Sequence, residues 1–240
     1  MKKILVVLMA FMLLFGMTAC GGAAAEPAEP VTISVSAAAS LTDALNEIAT
    51  EYAKESSDII EFNFGGSGAL RTQIEEGAPC DLFISAAANH MDALDEAGLL
   101  VSDSRTDLLA NTLTLIAASE KADSVTLDSL ATDAVESIAV GEPETVPAGQ
   151  YAVQAFGSMG ITDAVTPKLI YAKDVRAVLD YVDTGNVDCG FVYKTDALQL
   201  TTGVMVADVP SDEHDPIVYP AALTANAAQP EAAAAFFEYI

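Results

Sequence analysis

The sequence predicts an α/β protein built as two lobes, and three observations carry that reading. Short runs rich in β-branched and aromatic residues alternate with segments of helical periodicity, the pattern of parallel strands covered by helices. Nine strand runs, at 31–37, 59–64, 81–86, 113–118, 137–140, 168–171, 189–193, 204–209 and 217–223, are too many for one small sheet. The chain has 240 residues, 52% of them hydrophobic, which suffices for one large domain or two modest lobes with a sizeable core.

Charge narrows the class of partner. Ten Lys and Arg stand against 35 Asp and Glu, a net charge of −25. Such a surface repels nucleic acid and anionic lipid, and the basic residues form no cluster that could follow a phosphate backbone. Nucleic-acid binding is excluded. An anionic ligand would have to be held locally, against the field of the whole protein.

The first element is an export signal: Lys2 and Lys3, an apolar run at 4–15, then small residues before Cys20. Twelve apolar residues are too few to span a bilayer. Met17-Thr18-Ala19-Cys20 resembles the lipobox of bacterial lipoproteins, with Met17 in place of the usual Leu. The resemblance implies removal of residues 1–19 and acylation of Cys20, leaving the protein anchored by lipid to the outer side of the cell membrane; an ordinary cleaved signal is the alternative. Residues 20–30 contain GGAAAEPAEP, without periodicity or large apolar groups, and read as a flexible tether. Cys80 and Cys189 are then the remaining cysteines, favoured as free buried thiols over a bridge. No Cys-x-x-Cys or His/Cys cluster offers a metal site, and no cofactor is expected.

In the helix after the first strand, Leu41, Leu45, Ile48, Ala49 and Tyr52 make one apolar stripe. Ser40, with Asp43 three residues on, resembles a capping box. The small residues of Ala37-Ala38-Ala39-Ser40 also leave amides open to an anion at the positive helix end. The arrangement recurs in Gly65-Gly66-Ser67-Gly68 before a helical run at 69–76 closed by Gly77. That loop lacks the Lys-Ser or Lys-Thr of a nucleotide-binding P-loop, and Ala69 stands where a nucleophile elbow needs glycine. In the second half, Pro147 suits a first helical position, placing the Ala148 amide near the helix start. Asp174 can cap the helix bearing Val175, Val178, Leu179 and Val182, which Gly185 stops.

These residues carry a resemblance. The strings AAASLTDAL (37–45), FGGSGALRTQIEEGAPCDLFIS (64–85), VGEPETVPAGQYA (140–152), PKLIYAKDVRAVLDYV (167–182) and GFVYKTDA (190–197) resemble the molybdate-binding proteins of bacterial molybdate ABC transporters. The resemblance covers nearly all of the chain from Val31. It implies the two-lobed α/β fold of type II periplasmic binding proteins, with the ligand in the cleft between lobes. The lobes would comprise 31–111 with 208–240, and 112–207, and a further stretch of helix is implied beyond Ile240. It also implies a monomer without enzymatic activity that hands molybdate or tungstate to a membrane permease. Its ligand residues fall on Ser40 and Ser67 through their hydroxyls, Ala148 and Val175 through their amides, and Tyr193 through its phenol. The metal would be bound only as the oxyanion. Such a set consists wholly of donors, which suits a dianion with four acceptor oxygens and no proton.

Rival readings attach to particular residues. Arg71, Lys173 and Arg176 lie near the proposed ligands and are expected to be solvated charges. A secreted serine hydrolase would need a histidine base, but His90 and His214 are both expected at the surface. Binding of sulfate or another anion on the same fold is the nearer competitor.

Overall fold

The computed structural model describes residues 29–240, so the signal segment and Cys20 lie outside it. Residues 31–240 form one compact unit containing two five-stranded sheets. The first contains β1 (Thr32–Ala38), β2 (Ile59–Gly65), β3 (Leu82–Ile84), β4 (Thr106–Ala110) and β10 (Val218–Leu223), in the order β2-β1-β3-β10-β4. The second contains β5 (Leu113–Ala117), β6 (Ile138–Gly141), β7 (Leu169–Ala172), β8 (Cys189–Tyr193) and β9 (Val204–Asp208), ordered β7-β6-β8-β5-β9. The chain crosses between sheets after β4 and returns after β9. Asp208, read from the sequence as part of the first lobe, ends β9 opposite Thr114.

Two expectations are corrected. The sheets are mixed: β1 runs parallel to β2 and β3, and β6 to β7 and β8, but β10 is antiparallel to β3 and β4, as β5 is to β8 and β9. Alternation of strands and helices dominates the sequence, and β5 and β10, the strands that enter each sheet where the chain crosses between lobes, pair with partners far along the chain that local pattern does not encode. The sequence reading also missed β4, TDLLA. This edge strand is largely exposed on both faces, so it has neither the apolar run of a buried strand nor clean alternation.

Helices α1 (Thr42–Tyr52), α2 (Ser67–Glu75) and α3 (Ala88–Glu96) pack with the first sheet. The expected stripe of α1 places Leu45 and Tyr52 in the core, where Tyr52 meets Phe236 edge-on at 5.1 Å. Phe236 belongs to α8 (Pro230–Tyr239), which this contact ties to the first lobe. With the second sheet pack α4 (Pro147–Ser158), followed by α5 (Thr162–Val165), and then α6 (Val175–Asp183) and α7 (Lys194–Ala197). Pro147 opens α4, and the Asp174 carboxylate caps α6 by accepting from the Ala177 amide at 2.9 Å. Ser40 does not cap α1. It sits in a 3₁₀ turn, Ala39–Leu41, that precedes α1, and no side chain caps that helix. Cys80 and Cys189 are both buried and free.

Candidate functional site

Open α/β sheets present ligand sites beyond the carboxyl ends of their parallel strands, where helix starts aim amides outward. Here β1, β2, β6, β7 and β8 end around one cavity. Ser40 follows β1, Ser67 follows β2 as the first residue of α2, Ala148 is the second residue of α4, Val175 opens α6, and Tyr193 ends β8. All five line the same small cavity, with Gly65, Gly66, Val146 and Pro147 among its other walls, and its volume is about 10 Å³. That is on the scale of one water molecule, so any larger solute requires the walls to move apart.

The groups facing this space are donors. At their positions in the first helical turn, the Ala148 and Val175 amides have no intrahelical acceptor. Ser67 is fully buried, and its Oγ accepts from the Ala86 amide at 3.0 Å. Because an amide can only donate, the Ser67 proton remains available for a ligand. Ser40 Oγ lies 2.9 Å from Tyr219 Oη. The Tyr193 hydroxyl is buried with no hydrogen-bond partner among the described residues, and burial, reinforced by the neighbouring Tyr219, pushes its pKa well above the usual phenol value. It keeps its proton at any physiological pH. Among the described residues, neither a charged side chain nor a carboxylate lines the cavity.

The lobes meet closely at its rim. The Gly68 amide of α2 donates to the Thr145 carbonyl before α4 at 2.9 Å. A Cβ at Gly66 would stand 2.7 Å from the Thr145 carbonyl oxygen, and one at Gly68 would stand 2.7 Å from Thr145 Cα. The glycines around Ser67 therefore permit contact between lobes as well as close approach to a ligand.

Of five neighbouring residues, Arg176, His90 and His214 depart from expectation, Arg71 is only partly exposed, and Lys173 is exposed as expected. Arg176 is not a solvated charge: its guanidinium bridges Asp43 of α1 at 2.6 Å and the fully buried Asp196 of α7 at 2.8 Å, and is 3.5 Å from the Ser40 carbonyl. Burial pushes the Asp196 carboxyl up to about 7, against the pull of Arg176. His90 is 3% exposed rather than at the surface, with both ring nitrogens unpartnered. Burial, and then the charge of Arg71, lower it to about 4, so it is neutral at pH 7. His214 is half-buried, its ring 5.7 Å from that of Tyr151 and its Nδ1 2.7 Å from the Asp215 carbonyl. Arg71 pairs with Glu75 one turn along α2 at 3.5 Å, and Lys173 is exposed. Tyr219 and Asn111 escaped the sequence reading. Tyr219 is 179 residues from Ser40, and no local pattern joins them.

A two-lobed α/β body that encloses a small donor-lined cavity at its strand ends is a solute-binding protein. Residues 33–240 match the model of the bacterial extracellular solute-binding proteins, and the chain belongs to that family. It is 40% identical over 97% of its length, and 89% of the relative's, to YvgL of Bacillus subtilis, provisionally named an ABC transporter substrate-binding lipoprotein. It is 41% identical to the molybdate-binding protein ModA of Escherichia coli, covering 80% of this chain and 76% of that one. A solved structure from Clostridium difficile, described as the substrate-binding domain of a provisionally assigned molybdenum ABC transporter, is 44% identical. The match has a TM-score of 0.65 and covers 87% of this chain and 91% of that one. These relatives are solute-binding proteins, not enzymes.

Proposed function

We propose that this protein captures molybdate, and tungstate with it, outside the cytoplasm and delivers the anion to the permease of an ABC transporter. One observation carries the reading: two hydroxyls of one lobe (Ser40, Ser67) and two amides and a phenol of the other (Ala148, Val175, Tyr193) line a single cavity with no cation. Helix-start amides and charge-assisted hydrogen bonds can hold a dianion without a formal countercharge. Relatives named for molybdate support this choice of ligand. Phosphate carries a proton near neutrality, and that proton would face donors only, an unpaired burial costing ~1–3 kcal/mol. Sulfate offers the same acceptors as molybdate and is separated by size, whereas tungstate nearly matches molybdate and should pass.

The rest of the proposal concerns segments around this site. Residues 1–19 direct export, Cys20 carries the lipid, residues 20–30 act as tether, and the mature protein works as a monomer. Its lobes, 31–111 with 209–240 and 112–208, part to admit the ion and close on it. Calorimetric titration of the body from Val31 with molybdate, tungstate, sulfate, phosphate and amino acids tests the reading. Molybdate and tungstate are expected to bind with similar strength and phosphate hardly at all; equal binding of phosphate overturns it.

A further inference from the structure

The polarity of Ser67 follows from its amide partner, but Ser40 faces another hydroxyl, and either atom of that pair could donate. What lies behind Tyr219 decides the direction. Asn111 sits where the chain crosses between the sheets, after β4 and before β5. Its Oδ1 accepts from the Thr112 amide at 2.9 Å, which fixes the orientation of the side-chain amide. Nδ2, a pure donor, then points to Thr195 Oγ1 at 2.9 Å and to Tyr219 Oη at 3.3 Å. The Tyr219 oxygen therefore accepts from Asn111. Its own proton has Ser40 Oγ as acceptor at 2.9 Å, and the Ser40 proton is left for the cavity. Tyr219 is fully buried, so water does not compete for these bonds.

We propose that Asn111 and Tyr219 are positioning residues that hold Ser40 as an obligate hydrogen-bond donor, and so give the cavity its discrimination against protonated oxyanions. The inference rests on the oxyanion reading above and deepens it. A free serine hydroxyl donates or accepts equally well and could welcome the proton of hydrogen phosphate. With the Tyr219 proton on one lone pair, Ser40 meets the ligand as a donor, as Ser67 does under the Ala86 amide. Hydrogen bonds in such a chain also polarise one another, which strengthens the last donor. The relay begins at the crossing between lobes and touches Thr195 of α7, so the donor set is completed by contacts from both sheets.

The test is calorimetry with sodium molybdate and with inorganic phosphate on the wild type, Tyr219→Phe and Asn111→Asp. Tyr219→Phe keeps the ring that packs edge-on against Tyr193 at 5.6 Å, so the fold should survive, as an unchanged melting temperature would report. Molybdate affinity should fall about threefold, less than the loss of the whole Ser40 hydrogen bond, because the freed hydroxyl can still donate. Phosphate should lose less or gain, so that the molybdate-to-phosphate ratio falls. Asn111→Asp has the same shape but puts an acceptor behind Tyr219. It should reverse the relay, turn Ser40 into an acceptor, and lower the ratio further than Tyr219→Phe does. The added negative charge repels both dianions alike, so it moves affinities without moving the ratio in this way. A wild type that prefers molybdate, with the ratio unchanged in both variants, overturns the relay alone. A wild type that prefers phosphate overturns both the relay and the functional proposal.

Discussion

Ser67, Ser40 and Tyr193 each offer one hydroxyl to a dianion in the proposed site, so Ser67→Ala, Ser40→Ala and Tyr193→Phe should each weaken molybdate binding by about 1.5–3 kcal/mol. Ala148→Ser and Val175→Ala keep their amides and should cost much less. Arg71, already paired with Glu75 outside the cavity lining, should tolerate Ala with little change; a dominant, salt-sensitive loss there would replace the donor-only site with a counter-charge. His90 gives a second prediction at this scale. Its folded pKa is lowered to about 4 from 6.5 by burial and Arg71, so the unfolded chain binds the extra proton between these values. Stability is full above pH 6.5 and falls as pH drops toward 4, by about 3 kcal/mol in all. Urea denaturation of His90→Phe should show a flatter dependence across that window.

Among the elements, the turn from β2 into α2 has the most to lose from added bulk. Gly66→Ala suits the local helix start, yet its new methyl would press on the Thr145 carbonyl oxygen of the other lobe at 2.7 Å. Backbone cannot swing aside as a flexible side chain can. Gly66→Ala should therefore keep the melting temperature of the ligand-free protein while weakening molybdate binding about tenfold or more, the cost of overpacking a closed seam being about 1–3 kcal/mol. A variant that binds as well as the wild type would show that this glycine does not limit closure. The capping roles illustrate what local sequence can decide. Asp174 caps α6 as its position suggests, but Ser40, with equally good cap chemistry, is drawn away to Tyr219 on β10.

For the whole molecule, a ligand held by groups from both lobes is fully satisfied only when they meet. Small-angle scattering should give a smaller radius of gyration at saturating molybdate than without it, and identical radii would argue for a cleft closed beforehand. The Arg176 guanidinium joins the lobes next to this cavity, linking Asp43 of α1 to Asp196 of α7. Arg176→Met would leave Asp196 buried without its partner, at a cost of about 3 kcal/mol. The sign of its pH dependence follows from burial raising the Asp196 pKa: the folded state holds the proton more tightly, so stability falls as pH rises through 7. Denaturation of Arg176→Met at pH 5 and pH 8 should show the larger loss at pH 8.

The sequence by itself determined the class of fold, the strand ends and the helix starts, because these depend on periodicity, small residues and turn chemistry within a few positions. Ser40, Ser67 and the Ala148 amide stood out at helix starts for the same reason, whereas Val175 and Tyr193 came only from the resemblance to molybdate-binding proteins; all five line one cavity. Tertiary structure decided the rest. The direction of β5 and β10, the edge strand β4 with its two exposed faces, the burial of His90, the Arg176 bridge and the relay from Asn111 through Tyr219 to Ser40 all join positions far apart in the chain. Such contacts exist only once two separately patterned lobes have packed, since the free energy that selects them comes from burying and pairing groups that no local window contains together.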